Sequence, residues 1–179
     1  MERKGRTFDV LGQLGSLRRY ARSLVRNADD AEDLVHDALV KAYERKASFR
    51  RDGNLRTWLL SILHNVHIDR LRQSRSQSRR HEEAAAEVAP ALAAPQDHAV
   101  RLSQVREAFF GLPEEQREAL HLVAIEDLSY QEAAAALGIP VGTLMSRISR
   151  ARASLRNFED ATSRVSHLRL IEGGGNENR

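Results

Sequence analysis

The chain has 179 residues, of which 41% are hydrophobic, 30% charged and only 5% aromatic, a balance suited to helices built on Ala, Leu and Val rather than to a sheet. It has no cysteine, which excludes a disulfide framework and a thiolate metal site and fits a reducing cytoplasm. The net charge of +3 hides two polarised segments: Asp29 to Asp37 (DDAEDLVHD) has five acids and no Lys or Arg, whereas Val141 to Arg156 (VGTLMSRISRARASLR) has four arginines and no acid, so one repels DNA and the other attracts it.

The amino terminus, Met1 to Leu11, has basic residues without an apolar stretch after them, and nowhere does an uncharged apolar run reach the roughly 20 residues that span a bilayer. The chain is therefore expected to be neither exported nor membrane-embedded. Leu11, Leu14, Leu17, Ala21 and Leu24 recur every three or four residues and predict a first helix with a stop near Asn27. Ala31, Leu34, Val35, Ala38, Leu39, Ala42 and Tyr43 predict a second, whose start Asp29 and Glu32 can cap in the manner of a capping box. After a loop from Phe49 to Leu55, a third apolar stripe runs through Trp58, Leu59, Ile62, Leu63, Val66 and Leu71 into basic residues.

The stretch SRSQSRRHEEAAAEVAPALAAPQ is broken by Pro90 and Pro95 and has too few large apolar residues for a core, so it is expected to be a flexible linker. A helix through Leu102, Val105 and Phe109 then ends at Gly111, and Pro113 opens another that carries Leu120 and Val123. Ser129 to Glu132 (SYQE) matches a capping box, and the alanine-rich helix behind it stops at Gly138. The expected architecture is all-α, with two small helical domains at residues 1–73 and 97–158, a linker at 74–96, and a glycine-containing flexible tail at 159–179.

A capped short helix, a tight turn at Gly138 and a second helix make the pattern of a helix-turn-helix, whose second helix enters the major groove. Val141, Leu144, Ile148, Ala151 and Leu155 form its packed stripe, and Thr143, Ser146, Arg147 and Arg150 fall on the opposite side. Short residues there let the backbone approach DNA, arginine can bond guanine bidentately, and Arg152 and Arg156 can reach phosphates. The plain alternative is an amphipathic helix with a solvated basic face.

Leu112-Pro113, Glu115-Gln116-Arg117, Leu128-Ser129-Tyr130-Gln131-Glu132-Ala133-Ala134, Leu137-Gly138, Pro140, Gly142-Thr143-Leu144, Ser146-Arg147 and Arg150-Ala151-Arg152 resemble region 4 of extracytoplasmic-function (ECF) RNA polymerase sigma factors. Asp30-Ala31-Glu32-Asp33-Leu34-Val35, Trp58-Leu59 through Asn65, and Asp69-Arg70-Leu71-Arg72 resemble region 2 of the same family. The resemblance implies core RNA polymerase and promoter DNA as partners, with region 4 on the minus-thirty-five element through Ser129, Tyr130, Gln131 and the recognition helix. It implies that the loop Phe49 to Leu55 and the following helix open the minus-ten element and capture a flipped base, for which Arg56, Asn65, Arg70 and Arg72 are suitable donors. Trp58 can stack on a base, but its core-periodic position favours burial. Asp30, Asp33, Leu34 and Asp37 would dock on polymerase; their acidic face otherwise has the plain reading of a solvated surface.

The spellings Asn54-Leu55-Arg56-Thr57-Trp58-Leu59, Ile62-Leu63-His64-Asn65 and Val141-Gly142-Thr143-Leu144-Met145-Ser146-Arg147 look most like the branch that serves the general stress response of alphaproteobacteria. That branch implies a small NepR-like anti-sigma factor as a further partner. Three rival readings compete with this one. A metalloenzyme is suggested only by His64, His67 and Asp69 on one helix, with no HExxH and no cysteine, so neither catalysis, a metal nor a cofactor is expected. A sigma-like decoy that binds an anti-sigma factor would ordinarily precede a receiver domain, and a free-standing helix-turn-helix regulator leaves the first module unexplained.

Overall fold

The computed structural model describes residues 8–50, 53–78 and 97–169, and among them there are seven α-helices and no strand. The helices are α1 (Leu14–Leu24), α2 (Ala28–Glu44), α3 (Leu55–Ser78), α4 (Asp97–Gly111), α5 (Glu114–Ala124), α6 (Tyr130–Leu137) and α7 (Val141–Arg169). No helix among the described residues is long and apolar enough to cross a membrane. The all-α expectation is met. Most of the expected linker, residues 79–96, and residues 170–179 of the expected tail lie outside the described residues; α3 continues to Ser78 and α7 to Arg169.

The first module is α1, α2 and α3. Leu17, Tyr20, Ala21 and Leu24 of α1 are buried at helical spacing, against Ala31, Leu34, Val35, Ala38 and Ala42 of α2 and Leu59, Leu60, Ile62 and Leu63 of α3. Two predicted core positions are not core: Leu11 sits in a 3-10 turn (Leu11–Gln13) before α1 and is 79% exposed, and Tyr43 at the end of α2 is 77% exposed. The cap of α2 also differs from expectation. Asn27, not Asp29, is the N-cap, its Oδ1 accepting from the backbone N–H groups of Asp29 and Asp30, which leaves Asp29 and Asp30 in the first turn where the helix dipole favours acids. Asn54 plays the same part for α3, accepting from the Arg56 and Thr57 N–H groups.

The second module is α4 to α7, with Leu120, Leu122, Ala133, Ala134, Ala136, Leu137, Leu144, Ile148 and Ala151 buried at its centre. Leu102 and Val105 of α4 are 70% and 56% exposed, so that helix contributes mainly Phe109 to the packing.

The two modules are joined into one hydrophobic core by α1 against α5 and α3 against α6. Their interface also carries buried charge. Glu126, in the turn after α5, is wholly buried and faces the first module. Its Oε2 accepts from the Ser16 hydroxyl and from Arg56 Nη2, and its two oxygens accept from Arg19 Nε and Nη2 at 3.0 and 3.1 Å. His121 Nε2 lies 3.4 Å from Oε1, within electrostatic reach but without hydrogen-bond geometry. Burial pushes this carboxyl up, yet the contacts from His121, Arg19, Arg56 and Ser16 together outweigh it and hold it well below its ordinary value. The turn that aims Glu126 inward passes through Asp127 at φ 54°, a left-handed position that Asp tolerates better than most residues. Around this centre, Arg117 Nε donates to the Ser23 carbonyl at 2.7 Å, Arg26 to the Phe110 carbonyl at 3.0 Å, and Asn54 Nδ2 to Glu132 Oε1 at 3.0 Å.

Glu126→Gln removes the charge while keeping the shape. Losing one partner of a fully buried pair costs about 3–5 kcal/mol, but Arg19 and Arg56 retain water contact, so the expected loss is about 2 kcal/mol, read as a lower urea midpoint for the full chain. A depressed carboxylate contributes fully above its ordinary value near 4.5 and loses that contribution as pH falls toward the folded value. Wild type and Glu126→Gln should therefore differ most above pH 5 and converge as the buffer is taken toward pH 2.

Candidate nucleic-acid interface

The helix-turn-helix is built as its local sequence dictates. The Ser129 hydroxyl accepts from the Glu132 N–H at 3.2 Å and Glu132 Oε2 accepts from the Ser129 N–H at 3.0 Å, a reciprocal capping box at the start of α6. The Ser129 N–H, the Ser129 hydroxyl and the Asn54 amide hold the Glu132 carboxyl below the usual carboxylate range, in that order of effect, against a small opposing push from burial. Gly138 ends α6 at φ 65°, its N–H donating to the Ala134 and Ala135 carbonyls. None of the described residues lies within 4 Å of where a Cβ would stand, so among them it is the left-handed backbone that requires glycine there.

In α7, Leu144, Ile148 and Ala151 are buried and Leu155 packs partly against them, whereas Val141 is 37% exposed and starts the helix rather than the stripe. Thr143, Ser146 and Arg150 are exposed on the opposite face, with Arg152 and Arg156 farther along. Ser129, Tyr130 and Gln131 are exposed at the start of α6. Arg147 is the exception. Its Nη2 pairs with Glu115 Oε2 of α5 at 3.1 Å, leaving the side chain 20% exposed. Glu115 itself is largely solvated, so this pair is weak and a phosphate or guanine can compete for the arginine.

In the first module the expected DNA-contacting residues separate into free and engaged sets. Asn65 and Arg72 are exposed, Arg72 only 3.8 Å from Asp69 on its own helix. Arg70 bonds Asp37 across α2 and α3 at 2.5 Å, which couples an expected DNA residue to an expected polymerase residue. Arg56 is held by Glu126 and Ser16. Trp58 is half-buried in a ring cluster with Phe49 at 5.1 Å and Phe8 at 6.0 Å, the packing role that its spacing favoured. Asp30, Asp33 and Asp37 are exposed on α2. Leu34 departs from the expectation: it is fully buried, so it supports the acidic face from beneath and presents nothing to a partner.

The histidines do not gather as a local cluster either. Asp69 faces Arg72, while His64 and His67 are buried toward α5. Burial foremost, with His67 nearby, lowers His64 to about 4, so it is neutral near pH 7, and its Nδ1 lies 3.3 Å from the Tyr20 hydroxyl. The residues that sequence reasoning missed are Glu126, Glu115 and the Asn54–Glu132 pair. Glu126 offers one local hint, an acid between Ile125 and the capped helix, but its partners are as much as 110 positions away.

Comparison with known proteins agrees with this geometry. Sigma-70 region 2 matches residues 13–77 and Sigma-70 region 4 matches residues 102–155. The ECF RNA polymerase sigma factor EcfG of Rhodopseudomonas palustris is 40% identical over 149 residues, covering 82% of this chain and 81% of the relative. Among solved structures, the sigma factor RpoE in complex with the anti-sigma factor NepR from Bartonella quintana superposes with TM-score 0.71 at 34% identity, over 85% of this chain and 94% of that one. CnrH in complex with the cytosolic domain of CnrY gives 0.62 at 30% identity, over 87% and 89%. The chain thus belongs to the ECF sigma factors of RNA polymerase, its first module being region 2 and its second region 4.

Proposed function

We propose that α7 reads the upstream promoter element through Thr143, Ser146, Arg147 and Arg150, with Ser129, Tyr130, Gln131, Arg152 and Arg156 on the flanking phosphates. The observation that carries this reading is the division of residues 141–156 of α7 into a buried stripe and an acid-free polar face, the arrangement that major-groove entry requires. Asn65, Arg70, Arg72 and, once released from Glu126, Arg56 contact the melted downstream element. Asp30, Asp33 and Asp37 dock on polymerase. The chain acts in the cytoplasm as a binding subunit with no reaction of its own.

The two modules stand in a closed arrangement, in which Arg56 and the start of α6 are engaged between them. Its likeness to RpoE bound to NepR over both modules supports an anti-sigma factor that holds this closed form, while polymerase binding draws the modules apart to the spacing of two promoter elements. The decoy reading fits less well. The closed form needs no second domain, and the exposed face of α7 retains the chemistry of a DNA reader.

Replacing Arg150 with Ala leaves the α7 core untouched. If its contact is bidentate to a base, promoter affinity of the holoenzyme falls by about 1–3 kcal/mol, with far-ultraviolet circular dichroism unchanged. Unaltered promoter binding by Arg150→Ala together with Arg147→Ala would refute the assignment of the reading face.

Asp30→Lys with Asp33→Lys changes two exposed side chains that make no hydrogen bond among the described residues, and spares Asp37, which Arg70 holds. Core polymerase binding should weaken most clearly at low salt, where surface electrostatics are least screened, while the thermal midpoint stays close to wild type. Wild-type affinity in an anisotropy titration would place the polymerase surface elsewhere.

A further inference from the structure

Where α3 meets α5, three metal-competent side chains from both modules converge. His67 of α3 is buried, and its Nε2 stands 2.5 Å from Glu114 Oε1 in the first turn of α5. Glu118 lies one turn farther along α5, on the same face as Glu114. One potential ligand atom from each residue lies within 4.8 Å of the others. Glu118 is only 4% exposed, yet its Oε1 has no hydrogen-bond partner among the described residues. His64 Nδ1 is 3.7 Å away, beyond hydrogen-bond distance and already beside the Tyr20 hydroxyl. Arg117 and Arg147 act on Glu118 through space, but neither donates to that oxygen.

An orphaned buried carboxylate oxygen carries a desolvation cost that a direct ligand would remove. Two carboxylates one helical turn apart also repel each other, and burial, with Glu114 adding to it, pushes Glu118 up to about 7. A divalent cation answers both. Two carboxylates neutralise its charge, an imidazole nitrogen selects a borderline ion such as zinc over calcium or magnesium, and water completes four-coordination.

We propose that His67, Glu114 and Glu118 form a binding site for one divalent transition-metal ion that fastens region 2 to region 4. On binding, the ion takes the place of the proton between His67 Nε2 and Glu114 Oε1, which leaves to solvent together with any proton on Glu118. Because α3 supplies one ligand and α5 the other two, the site exists only while the modules are closed. The ion therefore stabilises the closed form by mass action.

The full chain, stripped with chelator, is titrated with Co2+ and the visible d–d absorption followed, then Zn2+ is added to displace it. One ion per chain is expected, with a raised thermal midpoint. Glu114→Gln alters a half-exposed residue and so keeps the fold; it and His67→Gln should each weaken binding by at least about tenfold and abolish the thermal shift. His36→Gln, at an exposed histidine beside Asp33 and Asp37, should change neither. Binding only at millimolar ion, binding indifferent to Glu114→Gln, or binding without a thermal shift would each overturn the site. Neither readout uses polymerase or promoter, so its failure leaves the reading of the promoter interface standing.

Discussion

The closed structure depends on a single buried carboxylate. Glu126 is taken wholly out of water, and an ion so placed is tolerated only when its lone pairs are all answered. Ser16, Arg19 and Arg56, all from the other module, answer them. A desolvated charge with its partners on the opposite surface makes closure specific in a way that apolar contact does not: sliding α5 along α1 would keep much of the hydrophobic burial but strand the carboxylate. Such a contact is also reversible, since Arg19 and Arg56 are partly solvated and Glu126 would regain water on opening. A buried ion pair contributes more to which arrangement forms than to how stable it is, and a subunit that has to open benefits from that difference.

The same contact joins folding to promoter recognition. Arg56, the cation nearest the start of α3, bonds Glu126, and Asn54, which caps that helix, bonds the capping-box Glu132 of α6. The entrance to the expected strand-capturing surface of region 2 is thus tied to the first helix of the DNA reader in region 4. The α7 face at Thr143, Ser146 and Arg150 remains open. Closure consequently restricts the downstream contacts and the spacing of the two surfaces more than it restricts the upstream reading face.

Local sequence carried the second module well. The Ser129 capping box, the stop at Gly138 and the Leu144, Ile148 and Ala151 stripe all depend on residues within a turn or two of one another, where capping and periodicity operate. Element ends were less legible: Asn27 took the capping role expected of Asp29 because an Asx residue one position outside the helix can bond the N–H groups of both following acids. Periodicity also overstated burial at Leu11, Tyr43 and Val141, each at the end of an element, where the helical repeat no longer has a full turn on both sides. Leu34, which the resemblance placed on the polymerase surface, follows the apolar period instead. What sequence could not show were the long-range pairs, Ser16 with Glu126 and His67 with Glu114 between the modules and Arg147 with Glu115 within the second, since no local rule relates residues so far apart in the chain.

That the free chain is closed through these contacts, and that polymerase opens it, is most directly tested by the distance between modules. With no native cysteine, fluorophores can be placed uniquely at Arg45→Cys, after α2, and Asn157→Cys, on α7, both exposed. Single-molecule energy transfer should give one narrow population for the free protein that moves to a longer distance when core polymerase is added. A broad distribution in the free chain, or one distance common to the free and polymerase-bound states, would contradict the account.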